Sequence, residues 1–234
     1  GIERTEKSSF SDLVTNVDLL AQNAVCQRLE SAFPGVNIMA EEDRDASLSG
    51  KVLVVDPLDG TLNFTHGYHE VAVSIGYWDA GEAVAGVVYN PLSDDMFHAL
   101  RGSGAFRNSK PIRCGTKTAL SQCLLVTGWP YDRSQYARTF EILSEFAMAC
   151  QEVRVIGSAA LDMCYVAAGA FDGYWEWDLR PWDLAGGAAI ALEAGCALTS
   201  LSGAAFSLAD GEVLVACPDV HREMLAKLRG FPRS

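Results

Sequence analysis

The stretch that decides the fold reads Asp56-Pro57-Leu58-Asp59-Gly60-Thr61. It follows a short β-branched run, Lys51-Val-Leu-Val-Val55, which is typical of a buried strand and delivers Asp56 at its C-terminal end. Proline is expected to fix a turn there, and Gly60 allows an unusual backbone angle ahead of a helix whose free N–H groups attract anions. Two Asp side chains and the Leu58 carbonyl are thus expected to converge on hard cations, which prefer oxygen ligands. Taken alone, the stretch also fits a solvent-exposed β-turn.

The composition excludes several classes of protein before any further motif is used. The chain has 234 residues, 49% hydrophobic and 21% charged, which predicts a globular protein rather than a disordered acidic tail. Its 18 basic and 30 acidic residues leave a net charge of −12 without a cluster of Lys and Arg, so no nucleic-acid partner is expected. No apolar run approaches the ~18–20 residues that cross a bilayer, so no membrane partner is expected either. The chain opens with no signal pattern and its seven Cys suggest no disulfide framework, which favours a cytoplasmic location.

Two styles of secondary structure follow one another along the chain. Up to about residue 115 the pattern predicts a helix over 16–33 and an antiparallel meander of strands over 71–78, 83–89 and 96–100. Beyond it, strands and helices alternate: strands over 123–127, 153–156 and 211–217, helices over 135–150, 158–170, 182–194 and 221–229. We therefore predict an α+β subdomain with a large antiparallel sheet over residues 1–115, followed by an α/β subdomain over residues 116–234.

Two further acidic signals lie outside the opening stretch. Ala40-Glu41-Glu42-Asp43 follows the apolar run Val36-Asn-Ile-Met39 and is expected at a strand end beside Asp56. Trp182-Asp183 follows Pro181 at the start of a predicted helix. Each alone has an ordinary explanation: a solvated loop for the first, and for the second a helix N-terminal Asp that the helix dipole favours. Together with Asp56 and Asp59 they form a single pattern of acidic residues spread over three segments of the chain.

These segments resemble the three signature segments of the inositol monophosphatase family of metal-dependent phosphatases. The matching segments are Glu41-Glu42, Asp56-Pro-Leu-Asp-Gly-Thr-Leu-Asn63 and Trp182-Asp183, together with Lys7 to Asp18, Gly157-Ser-Ala-Ala160 and Asp172-Gly-Tyr-Trp-Glu176. The resemblance implies a layered αβαβα sugar-phosphatase architecture with a second, smaller mixed sheet. Most metal ligands would lie in residues 1–115, and Asp183 and the substrate contacts in residues 116–234. A homodimer and inhibition by Li⁺ are also implied.

The same resemblance implies two to three bound Mg²⁺ ions. Glu41, Asp56 and the Leu58 carbonyl would bind the first. Asp56, Asp59 and Asp183 would bind the second, and Glu41 would help to hold a weaker third. Carboxylates packed this closely raise one another's pKa unless cations neutralise them, which agrees with the assignment.

Catalytic and substrate-binding roles are implied in the same way. Glu41, Thr61 and Asp18 would be catalytic, with Thr61, backed by Asp18, orienting the attacking water or accepting its proton. The backbone N–H groups of Gly60 and Thr61 would hold the phosphate. The residues implied to contact substrate are Asp59, Gly60, Thr61, Gly157, Ser158, Ala159 and Glu176.

The implied function is Mg²⁺-dependent hydrolysis of a small polyol or sugar-like phosphate monoester, inositol 1-phosphate by default, by in-line attack of a metal-activated water. Histidinol phosphate and fructose 1,6-bisphosphate are alternative substrates. A bisphosphate would need positively charged side chains in addition to the metal ions, and the only candidates in the sequence are Arg154 and Arg180. A non-catalytic, metal-binding regulatory scaffold is a further alternative, but a scaffold has no need to keep the full ligand set. Trp177-Asp178 is bulkier and more acidic than the apolar-plus-Gly pair often seen in the family, and it lies close to the expected ring pocket.

Overall fold

The first described elements are a hairpin and a long helix. A computed structural model describes residues 3–9, 12–42 and 47–231, without the side chains of residues 6–9, 12 and 13. The Lys7 side chain and Asp43 therefore lie outside the described parts. Strands β1 (Arg4–Ser9) and β2 (Asp12–Thr15) form an antiparallel pair ahead of α1 (Asn16–Ala32), which confirms the helix predicted over 16–33.

A seven-stranded sheet is the largest sheet in the described residues. Its strands, in spatial order, are β3 (Asn37–Ala40), β4 (Lys51–Asp59), β5 (Ala72–Asp79), β6 (Glu82–Asn90), β7 (Asp95–Leu100), β8 (Gly104–Arg107) and β9 (Lys110–Ile112). All neighbours are antiparallel except β3 and β4, which run parallel at one edge. The predicted meander is confirmed, and the sheet is mixed because of that one parallel pair. A short helix, α2 (Thr61–His66), connects β4 to β5.

A second, five-stranded sheet follows in the chain. Its spatial order is β11 (Glu152–Val155), β10 (Leu124–Thr127), β12 (Gly173–Trp177), β14 (Glu212–Ala216) and β13 (Ala197–Thr199). Strand β10 is parallel to β11 and β12, whereas β14 is antiparallel to β12 and β13, so the smaller mixed sheet is confirmed. The remaining helices are α3 (Tyr136–Ala147), α4 (Ala159–Ala167), α5 (Pro181–Glu193) and α6 (Pro218–Leu228).

The side-chain alternation of the smaller sheet explains the layering. Leu125, Trp175 and Leu214 pack in one apolar cluster with α3 and α6. Their neighbours Val126 and Tyr174 pack in another, which joins α4 and α5 to the larger sheet. Because α1 packs on β3 and β4, the layers read helix, sheet, helices, sheet, helices, as the αβαβα architecture requires. Within the described ranges, no helix combines the length and apolarity that crossing a bilayer needs.

Candidate active site

The strand that carries the Asp pair is longer than predicted, because it runs on to Asp59 rather than ending in a turn after Asp56. Asp56 lies opposite Ser74 and Asp59 opposite Ala72, so β4 advances three residues where β5 advances two. This extra residue is a β-bulge, and Pro57 fits it because proline has no N–H to donate to the ladder. Without the bulge the two carboxylates would point to opposite faces of the sheet; with it they share one face.

The turn after Asp59 places a hydroxyl beside a buried carboxylate. Gly60 has a left-handed φ of +86°, and a Cβ there would lie 2.7 Å from the Glu70 carbonyl oxygen, so only glycine fits. Helix α2 begins at Thr61, whose Oγ1 lies 2.9 Å from Asp18 Oδ1 and 3.0 Å from the Leu58 carbonyl oxygen. Asp18 is fully buried, and its other oxygen accepts a hydrogen bond from the Thr15 N–H at 2.8 Å. Asp18 therefore lies directly behind Thr61.

Glu41 and Asp183 come from two other elements. Glu41 follows β3, whose last residue, Ala40, pairs with Val55, so Glu41 comes beside Asp56 at the carboxyl ends of two parallel strands. Asp183 lies in the first turn of α5 after Pro181, and its Oδ2 accepts a hydrogen bond from the Arg180 N–H at 2.7 Å. The helix start therefore fixes the orientation of this carboxylate.

The start of α4 is tied to Asp59. Asp59 Oδ2 accepts hydrogen bonds from Ser158 Oγ at 2.5 Å and from the Ala160 N–H at 2.9 Å. Ser158 is also the N-cap of α4. Ala159, whose N–H is implied by the resemblance to contact substrate, lies between these two hydrogen-bonding residues. In this arrangement Asp59 links β4 to α4 rather than standing alone in the cavity.

All but one of the predicted site residues line a single cavity of about 400 Å³, a volume typical of small-molecule sites. The exception is Asp18, which lies behind Thr61. The predicted residues that line the cavity are Glu41, Asp56, Leu58, Asp59, Gly60, Thr61, Gly157, Ser158, Ala159, Glu176 and Asp183.

Burial and mutual repulsion raise the pKa values of the cavity carboxylates. For Asp56 burial is the larger cause, and the charges of Glu41, Asp59 and Asp183 add to it, so its pKa lies well above the usual range. Burial likewise raises the pKa of Asp183, although the hydrogen bond from Arg180 opposes the shift. Burial raises the pKa of Asp59 to about 6, with hydrogen bonds from Ser158 and backbone N–H groups holding it down.

Glu176 lies deeper in the cavity wall, on β12. Burial raises its pKa to about 8, and the Tyr174 hydroxyl donates to its Oε2 at 2.6 Å. A Cβ on Gly128 would lie 2.1 Å from the same oxygen, so the backbone of residue 128 is in direct contact with this carboxylate. These two contacts hold the Glu176 carboxylate between the Tyr174 hydroxyl and the backbone of Gly128.

This donor set fits Mg²⁺ in its chemistry. It offers carboxylate and carbonyl oxygens only, and within the described part of the chain no Lys or Arg forms an ion pair with Asp56, Asp59 or Asp183. Across residues 3–9, 12–42 and 47–231, however, no three acidic, His or Cys side chains are arranged as a ready metal cluster. One oxygen of each Asp is turned toward a backbone N–H, at Leu58, Ala160 and Arg180. The residues supply a shared acidic cavity rather than oxygens that already converge on one point.

One part of the cavity wall was missed by sequence reasoning. It is the segment after β10, and its residues at the cavity are Gly128, Trp129, Pro130, Tyr131, Arg133 and Tyr136. The available signal was the Gly-Trp-Pro-Tyr loop directly after the predicted strand 123–127, because strand carboxyl ends are where open α/β sheets bind ligands. Arg154 and Arg180, the cations considered from the sequence, do not line the cavity.

The expectation for Trp177-Asp178 also changes. Neither side chain lines the cavity. The Trp177 indole N–H donates to Gln135 Oε1 at 2.6 Å, and Asp178 Oδ2 accepts from the Asp132 N–H at 2.7 Å. Both residues therefore support the 128–136 segment through hydrogen bonds, without lining the cavity themselves.

The layered αβαβα fold with an acidic cavity places this chain among the sugar-phosphatase architectures. A model of the Inositol monophosphatase family matches residues 1–231, so the chain belongs to that family of phosphatases, which generally depend on Mg²⁺.

Three individual proteins illustrate the similarity. The Nus factor SuhB of Vibrio cholerae is 37% identical over 231 residues, covering 97% of this chain and 86% of that protein. The crystal structure of the extragenic suppressor protein suhB of Bartonella henselae has a TM-score of 0.92 at 33% identity, covering 98% of this chain and 89% of that one. The IMPase of Thermotoga maritima has a TM-score of 0.89 at 32% identity, and the match covers 98% of this chain and 88% of that one. These similarities support the phosphatase family without identifying a substrate.

Proposed function

We propose that this chain hydrolyses a small polyol or sugar-like phosphate monoester, with inositol 1-phosphate as the default substrate, in a Mg²⁺-dependent reaction. The observation that supports this most is the meeting, in one cavity, of the acidic side chains with Thr61, whose hydroxyl is hydrogen-bonded to Asp18 behind it. When bound, Mg²⁺ supplies Lewis-acid activation of the attacking water and neutralises charge on the phosphate. The residues that would hold two to three ions are Glu41, Asp56, the Leu58 carbonyl, Asp59 and Asp183.

Thr61 and Asp18 would place the water for in-line attack and receive its proton. When Thr61 Oγ1 donates its proton to Asp18 Oδ1, 2.9 Å away, its oxygen keeps a lone pair that accepts a hydrogen bond from water. Asp18, fixed by Thr15, is the acceptor at the end of this short relay. Glu41, at the edge of the same cavity, would share in orienting the water. The N–H groups of Gly60 and Thr61 would bind phosphate oxygens.

The other side of the cavity would hold the organic part of the substrate. Glu176 is rigidly placed by Tyr174 and would bind a ring hydroxyl, with Gly157, Ser158 and Ala159 beside it. Among the described residues that line the cavity, Arg133 is the only cation. A second phosphate would therefore find little positive charge, which supports a monophosphate over fructose 1,6-bisphosphate as substrate.

The test is a panel of phosphate monoesters assayed with Mg²⁺ and with a chelator. Asp56→Asn should abolish turnover with an unchanged circular dichroism spectrum, because it removes a charge shared by both principal metal sites. Asp219→Asn is the matched control, since Asp219 pairs with Arg222 on the surface. Near-normal turnover in Asp56→Asn would overturn the proposal. A faster reaction on fructose 1,6-bisphosphate than on inositol 1-phosphate would overturn the substrate preference, and turnover of histidinol phosphate alone would reassign it.

A second candidate function is regulatory rather than catalytic. The name Nus factor, carried by the Vibrio cholerae relative, supports it. On that hypothesis the cavity binds metal, but the wild type hydrolyses none of the phosphate monoesters in the panel. The count of Mg²⁺ ions, inhibition by Li⁺, the homodimer and the cytoplasmic location stay predictions.

A further inference from the structure

One wall of the cavity is aromatic, and the proposed reaction gives it no role. We call residues 128–136 the aromatic rim. Trp129 lines the cavity and keeps 38% of its surface exposed, with its ring centroid 5.2 Å from that of Tyr136 and 5.4 Å from that of Phe140. The Arg133 guanidinium lies over the Tyr136 ring at 5.2 Å. A large aromatic ring backed by others, yet still exposed at a cavity, has apolar surface to bury when a ligand enters.

The aromatic rim is held in place from behind. Besides the hydrogen bonds from Trp177 to Gln135 and from the Asp132 N–H to Asp178, the Arg138 guanidinium lies 5.0 Å from the centre of the Trp177 ring. Asp178 has a left-handed φ of +64°, a conformation that Asp adopts more readily than most other residues, and this places the turn after β12 beside Asp132. A wall that is already ordered costs little conformational entropy on binding.

The aromatic rim adjoins the polar part of the cavity around the Glu176 carboxylate. It begins at Gly128, whose missing side chain leaves room for the Glu176 carboxylate. A ligand in this part of the cavity would therefore meet both the Glu176 carboxylate and the Trp129 ring. A saturated ring bearing hydroxyls presents both kinds of surface, with O–H groups around its edge and C–H groups on its face. An open-chain polyol has no such face.

We propose that Trp129 is the specificity-determining residue of this site, stacking on the ring face of a cyclic phosphate monoester whose hydroxyls reach Glu176. The protein thereby selects cyclic over acyclic polyol phosphates. The inference rests on the proposed function, since it concerns the same substrate. Because stacking forms in the bound state and persists in the transition state, its loss affects KM rather than kcat.

The experiment compares kcat and KM on inositol 1-phosphate and on acyclic glycerol 2-phosphate, with the full chain in Mg²⁺. Trp129→Ala should raise KM for inositol 1-phosphate about tenfold, with kcat and the KM for glycerol 2-phosphate changed less than about twofold. Trp129→Phe, which keeps a ring, should recover most of the loss. Phe33→Ala is the matched control, because Phe33 is an exposed aromatic residue at the end of α1 and outside the cavity.

Equal changes in KM for the two esters, or none for either, would overturn the role of Trp129 while leaving the phosphatase proposal intact. If the wild type hydrolysed neither ester, the proposed function would fail instead. Calorimetric binding of inositol 1-phosphate would then decide the Trp129 contact alone. Weaker binding by Trp129→Ala supports the contact, and equal affinities overturn it.

Discussion

Chelation of Mg²⁺ should destabilise this protein, and the loss should grow from about pH 4 to about pH 8. The reason is the raised pKa values of the cavity carboxylates in the metal-free fold. Burial moves the pKa of Asp59 from 3.8 to about 6 and that of Glu176 from 4.5 to about 8, and the pKa values of Asp56 and Asp183 move in the same direction. A group whose folded pKa exceeds its unfolded value stabilises the fold fully below the unfolded pKa, and this contribution is lost as pH rises through the folded pKa.

The size of the effect follows from Asp59 alone. Raising its pKa from 3.8 to about 6 corresponds to a loss of about 3 kcal/mol in the free energy of unfolding above pH 6. For a chain of this size that is about 6–12 °C in Tm. Bound cations favour the ionised carboxylates, so saturating Mg²⁺ should remove most of this loss by mass action. Glu176 extends the pH window upward, because the pKa of its carboxyl is raised to about 8.

The assay is thermal unfolding followed by circular dichroism, with EDTA or Mg²⁺ at matched ionic strength, because salt screens exposed charges. Asp59→Asn should flatten the pH dependence in EDTA. Asp95→Asn is the control outside the cavity: Arg107 binds that carboxylate at 2.6 and 3.0 Å and lowers its pKa, so its stabilisation is present above the unfolded pKa and lost as pH falls. The decrease in Tm caused by Asp95→Asn should be the same with and without Mg²⁺. Parallel curves of Tm against pH in EDTA and in Mg²⁺ for the wild type would refute the reasoning.

Three other changes test separate parts of the structure. Thr61→Val removes the hydroxyl that lies 2.9 Å from Asp18, so kcat should fall about 100-fold or more with an unchanged circular dichroism spectrum, and a near-normal kcat would argue against the relay. Gly128→Ala forces a methyl group against Glu176, so KM for inositol 1-phosphate should rise severalfold; an unchanged KM would remove Glu176 from the substrate contacts. Asp162 is buried, neither of its carboxylate oxygens has a hydrogen-bond partner in the described residues, and burial raises its pKa. Asp162→Asn removes this ionisable group, so in urea denaturation the free energy of unfolding of the variant relative to the wild type should be higher at pH 8 than at pH 5, and an equal difference at the two pH values would contradict the reasoning.

The elements that carry the candidate site could be predicted because their signals are local. The run at residues 51–55 forms the strand that brings in Asp56, and the Pro181-Trp182-Asp183 start of a helix is where α5 begins. In both cases a few neighbouring residues determine the outcome. The shape of the Asp56–Asp59 stretch could not be predicted in this way, since the bulge depends on the pairing of β4 with β5.

Strand β12 shows why other parts were missed. All five residues of Gly173–Trp177 are buried, so the strand lacks the alternation that marks a half-exposed strand, and Glu176 interrupts its apolar character. The β8, β9 and β13 strands are only three or four residues long, too short to give a period. Contacts across long separations are beyond local signals altogether, as with Ser158 and Asp59, which lie 99 residues apart in the chain.

The Trp177-Asp178 pair shows how position along the chain misleads about role. Its place directly after Glu176 suggests a contact with the substrate ring, since the preceding side chain faces the cavity. Trp177 instead packs with Trp175 in the outer core, because side chains two apart on a strand share one face. The Asp178 carboxylate accepts a hydrogen bond from the backbone N–H of Asp132. Trp177 therefore reaches the cavity only through the aromatic rim, whereas the charge of Asp178 also contributes to the raised pKa of Glu176. Their departure from the family pattern thus lies in the residues that support the cavity wall and not in those that line it.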